Sequence, residues 1–426
     1  MTDSGPGPGA ASDITAANPF LGNRLGTAAA PAVVGVEIRE QVEVSFSDSS
    51  RRSFHHQWLR HCCYCEQCGN PADGIRFTTV LSFDADIVPA AAAVEHGELR
   101  IIWPDGHRSA FAADWLISNS YERDDRERRA SWRPTLWRSA ITADFPCVAW
   151  PEVVEGQPGQ LRMLELLLEF GIVQVTGIGT DPAGTEQLAS HLGPIHETTV
   201  YGRIYDVRAE PVAKLGAKTG MAQAPHTDDA FSYCQPGIDV FHCLVNTDEG
   251  GLSTYVDGFA IADDLRRTAP DAYAVLTSVA VAHIRRHPGE IELRNRAPLI
   301  SVDEFGEPCG IRYFDRALAP VDTEPDLIDA VFDALRAYSE RMVSADFRAE
   351  IRVAPGDAVL IDNHRVQHGR TAFDPASGRH IRLCHVPRDE VHGRLRELRR
   401  RFDPDAHDLY LPQGSGLSSA ASVRRH

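Results

Sequence analysis

The second half of the chain is built from short apolar, β-branched runs. Val240–Leu244, Ser278–His283, Ile351–Val353, Ala358–Ile361 and Ile381–Val386 are each bounded by turn residues. Runs this short suit strands better than helices, and turn signals between them favour antiparallel packing. Few helices accompany them. Leu161–Phe170 reads as a helix stopped by Gly171, Thr185–Leu192 as a second, and Pro325–Val343 as a third, while Ile172–Val175 reads as a strand. Many strands with two or three flanking helices predict a mostly β domain, a sandwich or jelly roll rather than a parallel α/β sheet. No internal repeat is evident.

Upstream, the pattern changes. Residues 1–33 are rich in Gly, Pro, Ala, Ser and Thr and bury too little apolar surface to offset ordering entropy, so they read as a disordered arm. Val34–Phe46 alternates like a half-buried strand. Gly97–Trp103 is another strand, Pro104-Asp105-Gly106 a turn, and Phe111–Ile117 the start of a helix. Residues 34–120 are therefore expected to form a small N-terminal α+β domain. Residues 121–150 open on the charge-dense run YERDDRERRASWRPTL and are expected as a linker or exposed helix that carries the domain boundary. Residues 151–402 make the main domain, and 403–426 a tail that ends Ser- and Ala-rich.

Charge narrows the partners. The 426 residues carry 60 acidic against 43 basic side chains, a net charge of −17. Nucleic acid and anionic membranes both reward positive charge, so neither is an expected partner. No stretch approaches the roughly 20 apolar residues of a membrane helix. The N-terminus lacks the basic and apolar regions of a signal peptide, and a cytoplasmic location is expected.

Four of the nine cysteines fall in one run, Cys62, Cys63, Cys65 and Cys68. The other five, Cys147, Cys234, Cys243, Cys309 and Cys384, are scattered singly and read as small buried thiols. Cys63, Cys65 and Cys68 have C-x-C-x2-C spacing, and clustered thiols in a reducing compartment point to a metal rather than a disulfide. Zinc wants four N or S ligands in a tetrahedron. His107, after the strand and turn of WPDGH, is the chosen fourth ligand, with His61, Cys62 and His96 as rivals. Three thiolates and one imidazole close the shell, which implies a structural site for Zn(II).

A second donor set lies in the main domain. Pro225-His226-Thr227-Asp228 carries H-x-D, and alternate residues of a strand share a face. The run GDAVLIDNHRVQHGR ends an apolar strand with His368. Two histidines and one carboxylate form a facial triad with open positions, the pattern of non-haem Fe(II) oxygenases. Those positions suit a bidentate 2-oxo acid, 2-oxoglutarate, together with O2. Arg379 follows eleven residues after His368, and a guanidinium can bind a distal carboxylate bidentately. Arg382 is its alternative or helper.

On these residues the chain resembles the γ-butyrobetaine/trimethyllysine hydroxylase family, which is related to taurine dioxygenase. The resemblance spans roughly residues 35–400. It rests on WLRHCCYCEQC and WPDGHRSAFAADWL, then HTDDAFSYCQPGIDVFHC, GGLSTYVDGF and DNHRVQHGRTAF, in the family's order. It implies a double-stranded β-helix (jelly-roll) catalytic domain behind a zinc-binding N-terminal domain. Cys63, Cys65, Cys68 and His107 then match zinc ligands, His226, Asp228 and His368 iron ligands, and Arg379 the 2-oxoglutarate arginine. Ser253, after GGL, matches a hydroxyl near the same carboxylate. Family precedent also implies a homodimer.

Relatives that take trimethylammonium compounds enclose the cation in aromatic faces. Tyr201 and Tyr205 match two such positions, whereas Lys218 and His385 stand where those relatives carry tyrosine. Lys218, with Arg312 or Arg316, would instead hold an anionic group. The expected activity is Fe(II)/2-oxoglutarate-dependent hydroxylation of an aliphatic C–H in a small betaine-, amino-acid- or phosphonate-like substrate, with release of succinate and CO2. Because Asp228 supplies the anionic ligand, a halide has no vacant position and halogenation is disfavoured. Desaturation or cyclisation by the same oxidant is the alternative. A hydrolase using the cysteine cluster as catalytic zinc, and a non-catalytic metal-binding jelly roll, are the rival classes.

Overall fold

The computed structural model describes residues 31–70, 74–208, 219–246 and 249–403. Lys218, nearly all of the 1–33 arm and nearly all of the 403–426 tail lie outside them. The chain forms two compact units that meet in sequence at Trp132/Arg133.

The first unit is built on two three-stranded antiparallel sheets. Val34–Phe46, expected as one strand, is a hairpin of Val33–Ile38 and Val42–Phe46, because the polar Arg39-Glu40-Gln41 segment turns, with Arg39 N–H donating to the Gln41 carbonyl. Its partner strand is Arg51–Phe54. The other sheet contains Ala91–Glu95, Glu98–Ile102 and Arg108–Phe111. Val44, Phe54, Leu59, Leu99, Trp103 and Trp115 share one core. The helix expected to start at Phe111 runs Ala113–Asn119.

The second unit is two antiparallel-dominated sheets with helices on their outer faces. The six-stranded sheet has the order Tyr205–Arg208, His380–Val386, Ile238–Val245, Ala358–Asp362, Ile172–Thr176, Cys147–Ala149. The four-stranded sheet has the order Gln223–His226, Val366–Arg370, Ser253–Asp257, Ala349–Ile351. Alternation along Ala358–Asp362 shows how the layers fit. Val359 and Ile361 point into a core shared with Tyr255, Ala349 and Val366 of the other sheet. Ala358 and Leu360 point outward into a core with the Gln157–Phe170 helix. A strand buried on both faces reads as a continuous apolar run, which is what AVLI is.

Residues 121–150, expected as a linker or exposed helix, are structured. They hold an Arg123–Arg129 helix, a buried Trp137 and the Cys147–Ala149 strand, which pairs in parallel with Ile172–Thr176. The Gln157–Phe170 helix stops where expected, at Gly171 in the left-handed region (φ 70°), and a Cβ there would lie 2.8 Å from the Arg365 side chain. Beyond the expected Pro325–Val343 segment (a short 3-10 turn, then helix Ile328–Val343), helices Gly258–Thr268 and Pro270–Ser278 pack with it in a third core.

Candidate active site

The Gln223–His226 strand pairs with Val366–Arg370 so that His226 and His368 are direct register partners. The strand ends at His226, and Asp228 sits in the turn that follows. Two groups fix that turn. Thr227 N–H donates to the Tyr313 carbonyl at 2.9 Å, and Asp228 N–H donates to Asn363 Oδ1 at 2.7 Å. Asn363 Nδ2 in turn donates to the Asp228 and Pro236 carbonyls, both at 3.1 Å. The side chains of His226 and Asp228 are thereby left on one side. His226 Nε2 and His368 Nε2 face the same oxygen, Asp228 Oδ1, at 3.4 and 3.6 Å. All three ligand atoms lie within 4.8 Å of one another.

Ring contacts hold the imidazoles. Phe314 lies 4.6 Å from the His226 ring and Phe241, from the facing sheet, 4.7 Å from His368. Burial pushes the His368 imidazole down to about 3, so it stays neutral and its lone pair is available. Burial by itself would raise Asp228, yet the His368 and His226 rings hold it below the ordinary carboxylate range. The result is two nitrogen donors and one anionic oxygen donor, a set that suits ferrous iron.

The three groups line one cavity. Arg379, Ser253, Arg370 and Tyr205 line the same cavity. Arg379 is 5% exposed and its Nε has no hydrogen-bond partner. Both Arg379 and Arg370 lie over the Phe373 ring, at 5.3 and 5.0 Å. Burial lowers both guanidinium groups, Arg370 to about 10. Arg370 donates to the Thr219 and Met221 carbonyls, whereas Arg379, with its partnerless Nε, calls for an anionic ligand.

Arg382 is not brought to the cavity. Successive residues of His380–Val386 alternate, so Ile381 and Leu383 face the cavity with Arg379, while Arg382 points to the other side of the sheet. Tyr201 and Tyr205 stack at 4.8 Å, and the His385 ring lies 6.0 Å from Tyr205. Arg316 sits over the Phe314 ring at 5.5 Å, beside the His226 side of the site. Arg312 is instead buried in structural work, donating to the Ala230 and Ser232 carbonyls at 2.9 and 2.6 Å. Sequence reasoning missed Asp229, Asp239 and Arg370. Asp229 has φ 47°, rare for a non-glycine, and burial with the neighbouring Asp228 charge raises its carboxyl to about 6. The signal for Asp239 was present as one acid inside the apolar run GIDVFHCLV.

The first unit carries a separate donor cluster. The His56–His61 helix ends just before Cys63, and Cys68 and Gly69 N–H both donate to the Cys65 carbonyl, a tight turn that points the Cys65 and Cys68 sulfurs the same way. Trp103 N–H donates to the His107 carbonyl, and Gly106 in the left-handed region (φ 82°) closes the turn that carries His107 back. His107 Nε2 lies 3.4, 3.7 and 3.4 Å from the sulfurs of Cys63, Cys65 and Cys68. A tetrahedral zinc with arms of about 2.3 Å to sulfur and about 2.0–2.1 Å to nitrogen has N–S edges of about 3.6 Å. Burial pushes the Cys63 thiol up to about 12, so its thiolate form calls for a cation beside it. His61, Cys62 and His96 lie outside the cluster.

Two family models match the chain. "Taurine catabolism dioxygenase TauD, TfdA family" covers residues 141–385, and "Gamma-butyrobetaine hydroxylase-like, N-terminal" covers 37–117. A γ-butyrobetaine dioxygenase of Pseudomonas sp. (strain AK-1) is 33% identical over 87% of this chain and 97% of its own length. A mitochondrial trimethyllysine dioxygenase of Gallus gallus is 30% identical over 83% of this chain and 84% of its own. The γ-butyrobetaine dioxygenase of Homo sapiens is 26% identical over 85% and 95%. With its metal-ready triad inside the matched region, the chain belongs to the TauD/TfdA family of dioxygenases.

Proposed function

We propose that this dioxygenase depends on Fe(II) and 2-oxoglutarate, with His226, Asp228 and His368 holding iron and Arg379 and Ser253 receiving the distal carboxylate of 2-oxoglutarate. One observation carries the reading. The three convergent ligand atoms and a buried guanidinium with a partnerless Nε line the same cavity. Bound iron with 2-oxoglutarate and O2 supplies the chemistry, hydroxylation of an aliphatic C–H with release of succinate and CO2.

The chain's own residues position and shield. His226 and His368 donate nitrogen, and Asp228 offsets one cationic charge. Phe241 and Phe314 exclude water from the two rings. Arg379 fixes the co-substrate by a charge-assisted pair, strong because the site is buried. Tyr201, Tyr205 and His385 form the wall for a small polar substrate, and Arg316 is placed to meet an anionic end. Lys218 joins this reading from sequence alone. The named relatives act on γ-butyrobetaine and trimethyllysine. We place the substrate here among betaine-, amino-acid- and phosphonate-like compounds, because an imidazole replaces one expected aromatic face.

The two facing sheets support a double-stranded β-helix for this unit. The closed Cys63, Cys65, Cys68 and His107 shell supports a structural Zn(II) in the other, with no open position for hydrolysis.

The test is turnover. Protein prepared anaerobically with Fe(II) and 2-oxoglutarate is exposed to O2 with a panel of betaines, amino acids and phosphonates. Succinate formation stimulated by one compound class, with a matching product heavier by one oxygen atom, supports the proposal; loss of two hydrogens instead identifies desaturation or cyclisation. Binding of Fe(II) and 2-oxoglutarate without stimulated succinate across the panel overturns it in favour of a non-catalytic binder.

A further inference from the structure

The two histidines of the triad differ in what holds their far nitrogen. His226 Nδ1 faces the Ala224 carbonyl at 3.1 Å. His368 Nδ1 is buried and has no hydrogen-bond partner. Asp239 Oδ2 lies 4.0 Å from it, and that oxygen is also buried and without a partner. The other oxygen, Asp239 Oδ1, accepts from His385 Nδ1 at 2.7 Å.

Asp239 sits in the apolar Ile238–Val245 strand, on the same face as Phe241, which packs on His368. It is 0% exposed. A carboxylate in that position is costly unless both oxygens are used. A histidine that binds a metal through Nε2 must carry its proton on Nδ1, and that proton needs an acceptor. Metal-ligating histidines ordinarily donate it to a carboxylate or a carbonyl. Two complementary buried atoms therefore face each other about 1 Å beyond hydrogen-bond range, which spans roughly 2.7–3.2 Å.

Resting on the iron reading above, we propose that Asp239 is a positioning residue for the metal ligand His368, accepting its Nδ1–H on one oxygen while His385 anchors the other. Asp239 fixes the tautomer and the ring orientation of His368. His385, whose ring faces Tyr205, couples that orientation to the aromatic wall of the cavity. The H-x-D motif does not reveal this, because Asp239 is remote from His368 in sequence.

The experiment uses the full zinc-loaded chain, with Mn(II) as probe of the iron site and free Mn(II) read by paramagnetic resonance. The parent is expected to bind one Mn(II) per chain. Asp239→Asn keeps the size but has a single acceptor for two N–H donors, and is expected to bind about 10- to 100-fold more weakly. His385→Gln leaves the Asp239 carboxylate in place and is expected to weaken binding less. Mn(II) binding by Asp239→Asn equal to the parent's overturns the inference and leaves the iron site standing. A parent that takes up no Mn(II) overturns both. Should Asp239→Asn not fold, the Co(II)-loaded parent gives the answer by proton NMR. Two hyperfine-shifted imidazole N–H signals protected from solvent exchange are expected, one from each histidine. A single protected signal, that of His226, overturns the inference.

Discussion

His226 and His368 are cross-strand partners, with ring centroids 4.5 Å apart at an interplanar angle of 43°. Antiparallel register, not sequence proximity, brings the two imidazoles to Asp228. Each is therefore separately required. His226→Ala is expected to lower substrate-stimulated succinate formation by more than about 100-fold, beyond the effect of losing only an outer partner. The melting temperature of the metal-free protein should change little. Succinate release and a thermal scan on the same preparation check this; turnover equal to the parent's would contradict the ligand assignment.

Arg379 should act on the co-substrate and not on the metal. Loss of a charge-assisted hydrogen bond costs about 1.5–3 kcal/mol. Arg379→Gln is thus expected to raise the half-saturating 2-oxoglutarate concentration by roughly 10- to 100-fold. Fe(II) affinity should stay the same. A 2-oxo acid without a distal carboxylate provides the control, since its weak binding should be indifferent to the substitution.

The cysteine cluster should govern stability rather than turnover. Cys65→Ser removes one of four donors, and the expected results are loss of bound zinc, a lower melting temperature and lower solubility. Turnover per folded molecule should be retained. Zinc content by atomic absorption beside succinate assays separates this from a catalytic metal.

Arg365 and Asp257 form a buried ion pair at 2.7 Å, 2% and 0% exposed. Arg365 also donates to the Glu169 and Thr135 carbonyls, and Asp257 Oδ1 caps the following helix by accepting from Phe259 N–H. Asp257→Ala leaves an uncompensated buried cation, so a loss of about 3–5 kcal/mol in urea unfolding is expected.

Acid should remove the stability that two buried imidazoles contribute to the second unit. Burial holds His364 and His283 down at about 4, against an ordinary value of 6.5. Between those values the unfolded chain binds protons that the fold does not, so stability falls as pH drops from about 6.5 towards 4. The contribution of these two imidazoles to the melting temperature should be whole at pH 7.5 and decline below about 6.5. His364→Gln should reduce the slope, even if its lost contact with the Gln235 carbonyl lowers the starting value.

The metal donors were legible because their chemistry leaves spacing in the sequence. C-x-C-x2-C and H-x-D are local geometry written as intervals, and Arg379 followed from the charge of a co-substrate. Arg382 was misjudged because proximity to Arg379 in sequence ignores the two-residue alternation of a strand. The unit boundary at Trp132/Arg133 and the mostly exposed Arg123–Arg129 helix fall within 121–150, but the charge-dense run carried no sign of buried Trp137 or of the Cys147–Ala149 strand, whose roles depend on distant partners. Asp239 and His385 were hidden for a related reason. Their pairing is set by register between Ile238–Val245 and His380–Val386, where Asp239 lies opposite His385. Neither residue alone carries a motif.

The most direct measurement of the central claim is anaerobic titration of Fe(II) into the protein with saturating 2-oxoglutarate, followed by visible absorption. The account predicts a metal-to-ligand charge-transfer band that saturates at one Fe(II) per chain. It should be absent from His226→Ala and His368→Ala, and should need far more 2-oxoglutarate in Arg379→Gln. A parent with no such band, or a band that survives both histidine substitutions, would contradict it.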